Sequence, residues 1–159
     1  MLKQAVSQLK GRKFELRLDV EVRLDFLATN EAEFIQLGPE QVAPAFVPSN
    51  YLSDTTLRIK VYRQLAEIRT REQLERLQRD WRDRFGKFPR PVDNLFLLAE
   101  IKLAAAEAGI SRVEVRQRKL MLTRRGDFIL VDGKFPRLVA ATVEQRLREV
   151  LELARKFNQ

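Results

Sequence analysis

Tyr51-Leu52-Ser53-Asp54, Arg58-Ile59, Tyr62-Arg63, Thr70-Arg71-Glu72-Gln73 and Asp83-Arg84-Phe85-Gly86, with Pro89 just beyond, form the stretch that decides the fold. Its punctuation predicts helices. Asp54 can accept backbone N–H groups at a helix start, and Leu57, Val61, Leu65 and Ile68 then recur on one stripe, so a helix is expected to about Arg69. Thr70 with Gln73 three residues later makes a capping box. Leu74, Leu77, Trp81 and Phe85 follow at spacings of three and four, and Gly86 supplies a C-terminal stop. Pro89 and Pro91 open a third helix through Leu95, Leu98, Ile101, Leu103 and Ala106 to Gly109.

Outward from these helices the period changes. Between residues 14 and 26, Phe14, Leu16, Leu18, Val20, Val22, Leu24 and Phe26 alternate with charged residues, which predicts one strand with a single apolar face. Residues 29–48, carrying Gly38, Pro39, Pro44 and Pro48, read as a loop with one short helical turn. On the other side, residues 113–117, 119–123 and 128–131 read as short strands, with Arg125-Gly126-Asp127 as the clearest turn. Thr142 and Gln145 form a second capping box, opening a last helix with Val143, Leu147, Val150, Leu151 and Ala154 inward. The expected fold class is α+β, a small mostly antiparallel sheet packed with about four main helices. Residues 1–13 read as a linker or short N-terminal helix, and residues 14–159 as a single domain.

Composition narrows the chemistry. The 159 residues include no His and no Cys, so His-based acid–base catalysis, thiolate chemistry and the usual zinc ligand sets are excluded. The six glycines are too scattered for a phosphate-cradling loop, so the chain is expected neither to bind nor to hydrolyse ATP and to hold no cofactor or metal of its own. No secretory signal is legible at the start, and the longest apolar candidate, residues 95–108, is interrupted by Glu100, Lys102 and Glu107. A soluble, cytoplasmic chain with no membrane partner is the expectation. The 30 basic and 22 acidic residues leave a charge of +8, which raises a polyanion as a partner.

Three groups of residues stand out. Asp54, Arg58 and Tyr62 lie at i, i+4 and i+8 on one helix face, so together with Tyr51 they serve either local structure or an interface. Asp80, Asp83 and Arg84 are neighbours beside the Leu77–Trp81 stripe; they pair within the helix or dock against a charged partner. Arg112, Arg116, Arg118, Lys119, Arg124 and Arg125 form the densest basic run and are candidates for weak phosphate contacts. No aromatic interleaves with them before Phe128, so a stacking platform for single strands is not expected there.

Val47-Pro48-Ser49-Asn50-Tyr51-Leu52-Ser53-Asp54, Arg58-Ile59, Tyr62-Arg63-Gln64-Leu65-Ala66, Thr70, Gln73-Leu74-Glu75, Asp83-Arg84-Phe85-Gly86 and Pro89 together resemble the C-terminal domain of the bacterial transcription-repair coupling factors (the Mfd family). Lys102, Ala105 and Gly109-Ile110 extend the match, which covers about residues 47–115. The resemblance implies a regulatory domain of a large ATP-driven DNA translocase that displaces stalled RNA polymerase and recruits UvrA. Such a domain packs on the UvrB-like N-terminal region of the same protein and masks the UvrA-binding surface. It further implies that Asp80, Asp83 and Arg84 form the interdomain interface, Asp80 standing where Glu is more usual. ATP and magnesium then belong to motor domains elsewhere in the parent, and DNA touches this domain only weakly. Residues 29–45 are longer than the family's link, and the sequence diverges after Arg116. The alternative reading is a free-standing basic nucleic-acid-binding module.

Overall fold

The computed structural model describes residues 19–158, so the expected helix or linker over 1–13 and the first part of the alternating stretch lie outside the described residues. Within them the alternation holds: Val20, Leu24 and Phe26 are buried, and Glu21, Arg23 and Asp25 are exposed. The single long strand does not. Strand β1 is Glu21–Leu24, and the chain turns at Asp25, whose Oδ2 accepts the Gln117 N–H at 2.8 Å. Leu27–Ala28 (β2) then pairs with a different partner, Ala43–Pro44 (β3).

Residues 29–48 depart furthest from the expected loop. The Asn30 side chain accepts from Glu33 N at 2.8 Å and starts helix α1, Glu31–Leu37, which is two turns long. Residues 42–48 are then wholly buried. The prolines permit this because of ladder parity. Ala43 N donates to Phe26 O and Ala45 N to Ala28 O, so Pro44 lies at the position that donates nothing. Its carbonyl accepts instead from the buried Asn94 side chain at 2.9 Å.

The caps read from the sequence are present. Asp54 accepts from Thr56 N and Leu57 N at the head of α2, Thr55–Ala66. Thr70 and Gln73 exchange their hydrogen bonds at the head of α3, Arg71–Phe85. Pro89 precedes α4, Arg90–Glu107, and the Thr142–Gln145 box opens α5, Val143–Lys156. Between α4 and α5, Ile110–Arg116 (β4) runs parallel to β1 and antiparallel to Lys119–Arg124 (β5), which pairs antiparallel with Asp127–Phe128 (β6). The strand expected over 128–131 ends at Phe128, leaving one isolated bridge between Val131 and Lys134. The order is β1-β4-β5-β6, a mostly antiparallel sheet in an α+β domain. Among the described residues no helix is long and apolar enough to cross a membrane.

Helix α4 divides the interior. Ile101, Ala104, Ala105 and Ala108 join the sheet and α5 in one apolar cluster. Val92, Leu95, Phe96, Ala99 and Leu103 join α2, α3 and residues 47–52 in another. Lys102 sits half-buried between those two sets, and burial lowers its ammonium below the usual lysine range. The ends of α4 and α5 are tied together from the sheet: Arg124 Nη1 donates to Ala108 O at 3.2 Å and to Phe157 O at 3.0 Å. One cation thereby meets the negative ends of two helices.

Replacing Arg124 by Ala is expected to destabilise the domain by about 2 kcal/mol, since two carbonyls lose a charged donor; denaturant unfolding measures it. A Lys102→Met variant should melt above the parent at pH 7. The folded pKa is depressed, so the charged form weakens the fold at neutral pH and the deficit vanishes as pH rises through the depressed value towards about 10.5. Melts across that range should show the gap closing, and a gap independent of pH would refute the assignment.

Candidate interaction site

Aromatic side chains build the end of α3 from below. Trp81 is fully buried against Phe96, with ring centroids 4.8 Å apart, and Phe88 stacks on Phe96 at 5.1 Å. Tyr51 meets Phe85 edge-on at 6.0 Å and Phe88 at 6.5 Å. The guanidinium of Arg82 lies 4.8 Å from the Phe88 ring centre and that of Arg84 lies 4.9 Å from the centre of Phe85. Burial pushes the Tyr51 phenol above its usual range, with Arg82 opposing the shift. A neutral, partly enclosed phenol thus floors a rim of fixed charges.

On that rim the three candidates differ. Arg84 Nη1 contacts Asp80 Oδ2 at 3.3 Å, one turn apart, with both side chains nearly half exposed. Asp83 is exposed, and its side chain makes no ion pair or hydrogen bond among the described residues. Exposed pairs of this kind contribute about 0–1 kcal/mol to folding, so the cluster is a minor stabiliser of the domain. Gly86 ends the helix at φ 87° and ψ −166°, its N–H returning to Arg82 O at 3.0 Å.

The second group is committed to holding residues 47–52 on α2. Arg58 donates to Leu52 O at 2.6 Å and to Thr55 Oγ1 at 3.2 Å. Val47 N donates to Tyr62 Oη at 2.7 Å, and Asp54 caps the helix. Their polar groups are engaged within the domain, although Asp54 and part of the Tyr62 ring remain exposed.

The basic run splits. Arg118 turns away to donate to Ala140 O at 3.3 Å, Arg124 holds the two helix ends, and Arg125 sits in the β5–β6 turn at φ 56°. Arg112, Arg116 and Lys119 share the outer face of the sheet, where Glu114 contacts Arg112 at 3.5 Å and Arg116 at 3.0 Å. Three contributors escaped the sequence reading. Arg82 was masked by its place in a charged helix. Phe135 and Arg137 follow Gly133, and their period-two spacing across Pro136 was the one available signal.

The family model described as "TRCF domain" matches residues 42–127, more than half of the chain, and the chain belongs to that family. Curated proteins named transcription-repair-coupling factor are similar to it: 27% identity over 77% of this chain for the one from Bacillus subtilis and 30% over 72% for the one from Haemophilus influenzae. The Escherichia coli protein of that name is 26% identical over 74% of the chain. The chain spans about 9% of the length of each of these relatives. The crystal structure of a C-terminal domain of transcription-repair coupling factor shares the fold with a TM-score of 0.61, at 18% identity, over 87% of this chain and 94% of that one.

Gly86 gives a sharp test of how the rim is held. A Cβ added there meets nothing within 4 Å, yet its backbone lies in a region that is essentially glycine-only. Gly86→Ala is therefore expected to destabilise by about 1–3 kcal/mol in urea unfolding, from backbone strain alone. A neutral result would show that the helix end relaxes without it.

Proposed function

We propose that this domain is a non-catalytic autoinhibitory module of a transcription-repair coupling factor. In this reading it docks through Asp80, Asp83 and Arg84 on the UvrB-like N-terminal region of the same protein and masks the surface that recruits UvrA. The parent would be an ATP-dependent DNA translocase that acts on stalled RNA polymerase in the cytoplasm, with ATP and magnesium held in its motor domains.

The observation that carries the reading is the rim itself. An acid–acid–base cluster stands at the end of α3, outside both apolar clusters, with Asp83 unpaired among the described residues. Arg84 lies over the Phe85 ring and reaches Asp80 within the domain, so both contacts bias its geometry before a partner arrives. Preset charges of both signs suit a charge-matched partner surface, where they select register as well as affinity. The domain's own stability depends little on them. That combination fits a contact made and broken during a regulatory cycle.

The triple replacement of Asp80, Asp83 and Arg84 by Ala is expected to change unfolding of the isolated domain by no more than about 0.5 kcal/mol. In the full-length parent the same change should loosen docking by about 2–5 kcal/mol, because partner charges lose their counterparts in a desolvated contact. UvrA pull-down by the resting parent should rise accordingly. Unchanged UvrA capture, or a collapsed melt of the isolated domain, would return these residues to a purely structural role.

A further inference from the structure

The outer face of the sheet brings three like charges into register. Arg116 on β4 stands directly opposite Lys119 on β5, and Lys119 stands opposite Arg137 in the bridge on its other side. Three cations thus form one row across three neighbouring chain segments. Directly opposed side chains in an antiparallel pair are only about 4.5–5.5 Å apart at Cβ, and like charges so placed repel.

Of the three nearby carboxylates, Glu114 and Glu21 are paired with arginines, whereas Asp25 lines the cleft and keeps its charge, accepting one neutral N–H. Glu114 is 13% exposed and divided between Arg112 and Arg116. Asp25 accepts the Gln117 N–H. Glu21 pairs with Arg23 and reaches Arg112 at 4.0 Å. Arg116 remains 76% exposed, and Arg137 makes no ion pair among the described residues. A cleft of about 910 Å³ lies over this row, with Met121 among its lining residues.

The same face also carries rings. Thr123 pairs with Phe128, so Phe128 shares the side of Lys119, Met121 and Thr123, and it is 52% exposed. Phe135 meets Phe128 edge-on at 5.2 Å, and the Lys119 amine lies 5.6 Å from the Phe135 ring centre. Lys119 and Thr123 are about 13 Å apart along β5 at roughly 3.3 Å per strand residue, and Phe135 bridges that span between the Lys119 amine and the Phe128 ring. The aromatic that is missing from the linear run is therefore supplied by register.

We propose that this face binds single-stranded nucleic acid, with backbone phosphates on Arg116, Lys119 and Arg137 and a base stacked on Phe128. An acidic protein segment would satisfy the cations but leave the exposed ring unused. A duplex hides its base faces, whereas a single strand offers both phosphates and an unstacked base. The inference is independent of the α3 rim and shares no residue with it.

Anisotropy of a labelled oligothymidylate titrated with the chain tests it. Binding is expected in the micromolar range and should weaken with salt, with a log–log slope of about −2, from three cations at roughly 0.7 each on single strands. Neutralising the row (R116Q, K119Q, R137Q) should weaken binding at least about tenfold and flatten the slope, while the melt stays at or above the parent's. K119Q alone, which removes the central charge, should reduce affinity and give a smaller slope. F128A should weaken binding about fivefold or more and leave the slope unchanged. The Asp80, Asp83 and Arg84 alanine variant should bind as the parent does, which keeps this outcome separate from the docking reading. A folded neutral-row variant with parental affinity would overturn the proposal. So would equal binding of a duplex, or tighter binding of polyglutamate, which would assign the face to an acidic protein.

Discussion

Helix α4 has to satisfy two apolar clusters at once, and the rest of the molecule is arranged by that requirement. One side of it supplies Ile101, Ala104, Ala105 and Ala108 to the sheet and α5, and another supplies Val92, Leu95, Phe96, Ala99 and Leu103 to α2 and α3. A helix buried around most of its circumference has little freedom to rotate or slide, because any shift moves apolar area out of two places. Ala104 and Ala105 keep the approach to α5 close, and Phe96 receives Trp81 and Phe88 on the other side. The α3 rim and the sheet are therefore positioned by the same element, although they share no side chain.

Polar ties fix what the apolar contacts leave adjustable. The buried Asn94 amide holds the carbonyl of Pro44, which anchors β3 to α4. Arg124 gathers the closing carbonyls of α4 and α5, so the end of β5 is tied to both helix ends through one guanidinium. These bonds are directional where hydrophobic burial is not, and each satisfies a group that would otherwise be buried without a partner. Tyr62 and Arg58 do the same for residues 47–52, converting an i, i+4, i+8 face into a clasp on the preceding loop.

What was legible in the sequence is what local chemistry determines. Asp54, Thr70 with Gln73, Gly86, Pro89 and Thr142 with Gln145 each act within a few residues, and each marks a helix boundary in the structure. The inward set of α5 was readable for the same reason. Residues 29–48 were not, because the acceptability of Pro44 depends on which N–H groups the β2 ladder uses, a fact about a distant segment. The long strand over 14–26 failed at Asp25, where a hydrogen bond from Gln117 sets the turn. Alternation continued through the turn, so the pattern alone carried no sign of it.

The two candidate surfaces show the same divide between local and non-local information. Asp80, Asp83 and Arg84 lie within one helical turn, so spacing alone brought them together. The sheet face could not be read this way. Among six basic residues close in sequence, Arg118 and Arg124 are diverted to backbone carbonyls, while Arg137 joins from across the β5 bridge. Phe128 reaches the same face only because the Arg125-Gly126 turn, with φ of 56° and 82°, returns the chain in register with Thr123. Charge density along a chain is thus a poor guide to charge density on a face. A row of opposed cations is the more informative object, since its members arrive from separate segments and stand in register against a mutual repulsion that the Glu114 contact to Arg116 and the Phe135 ring beside Lys119 oppose.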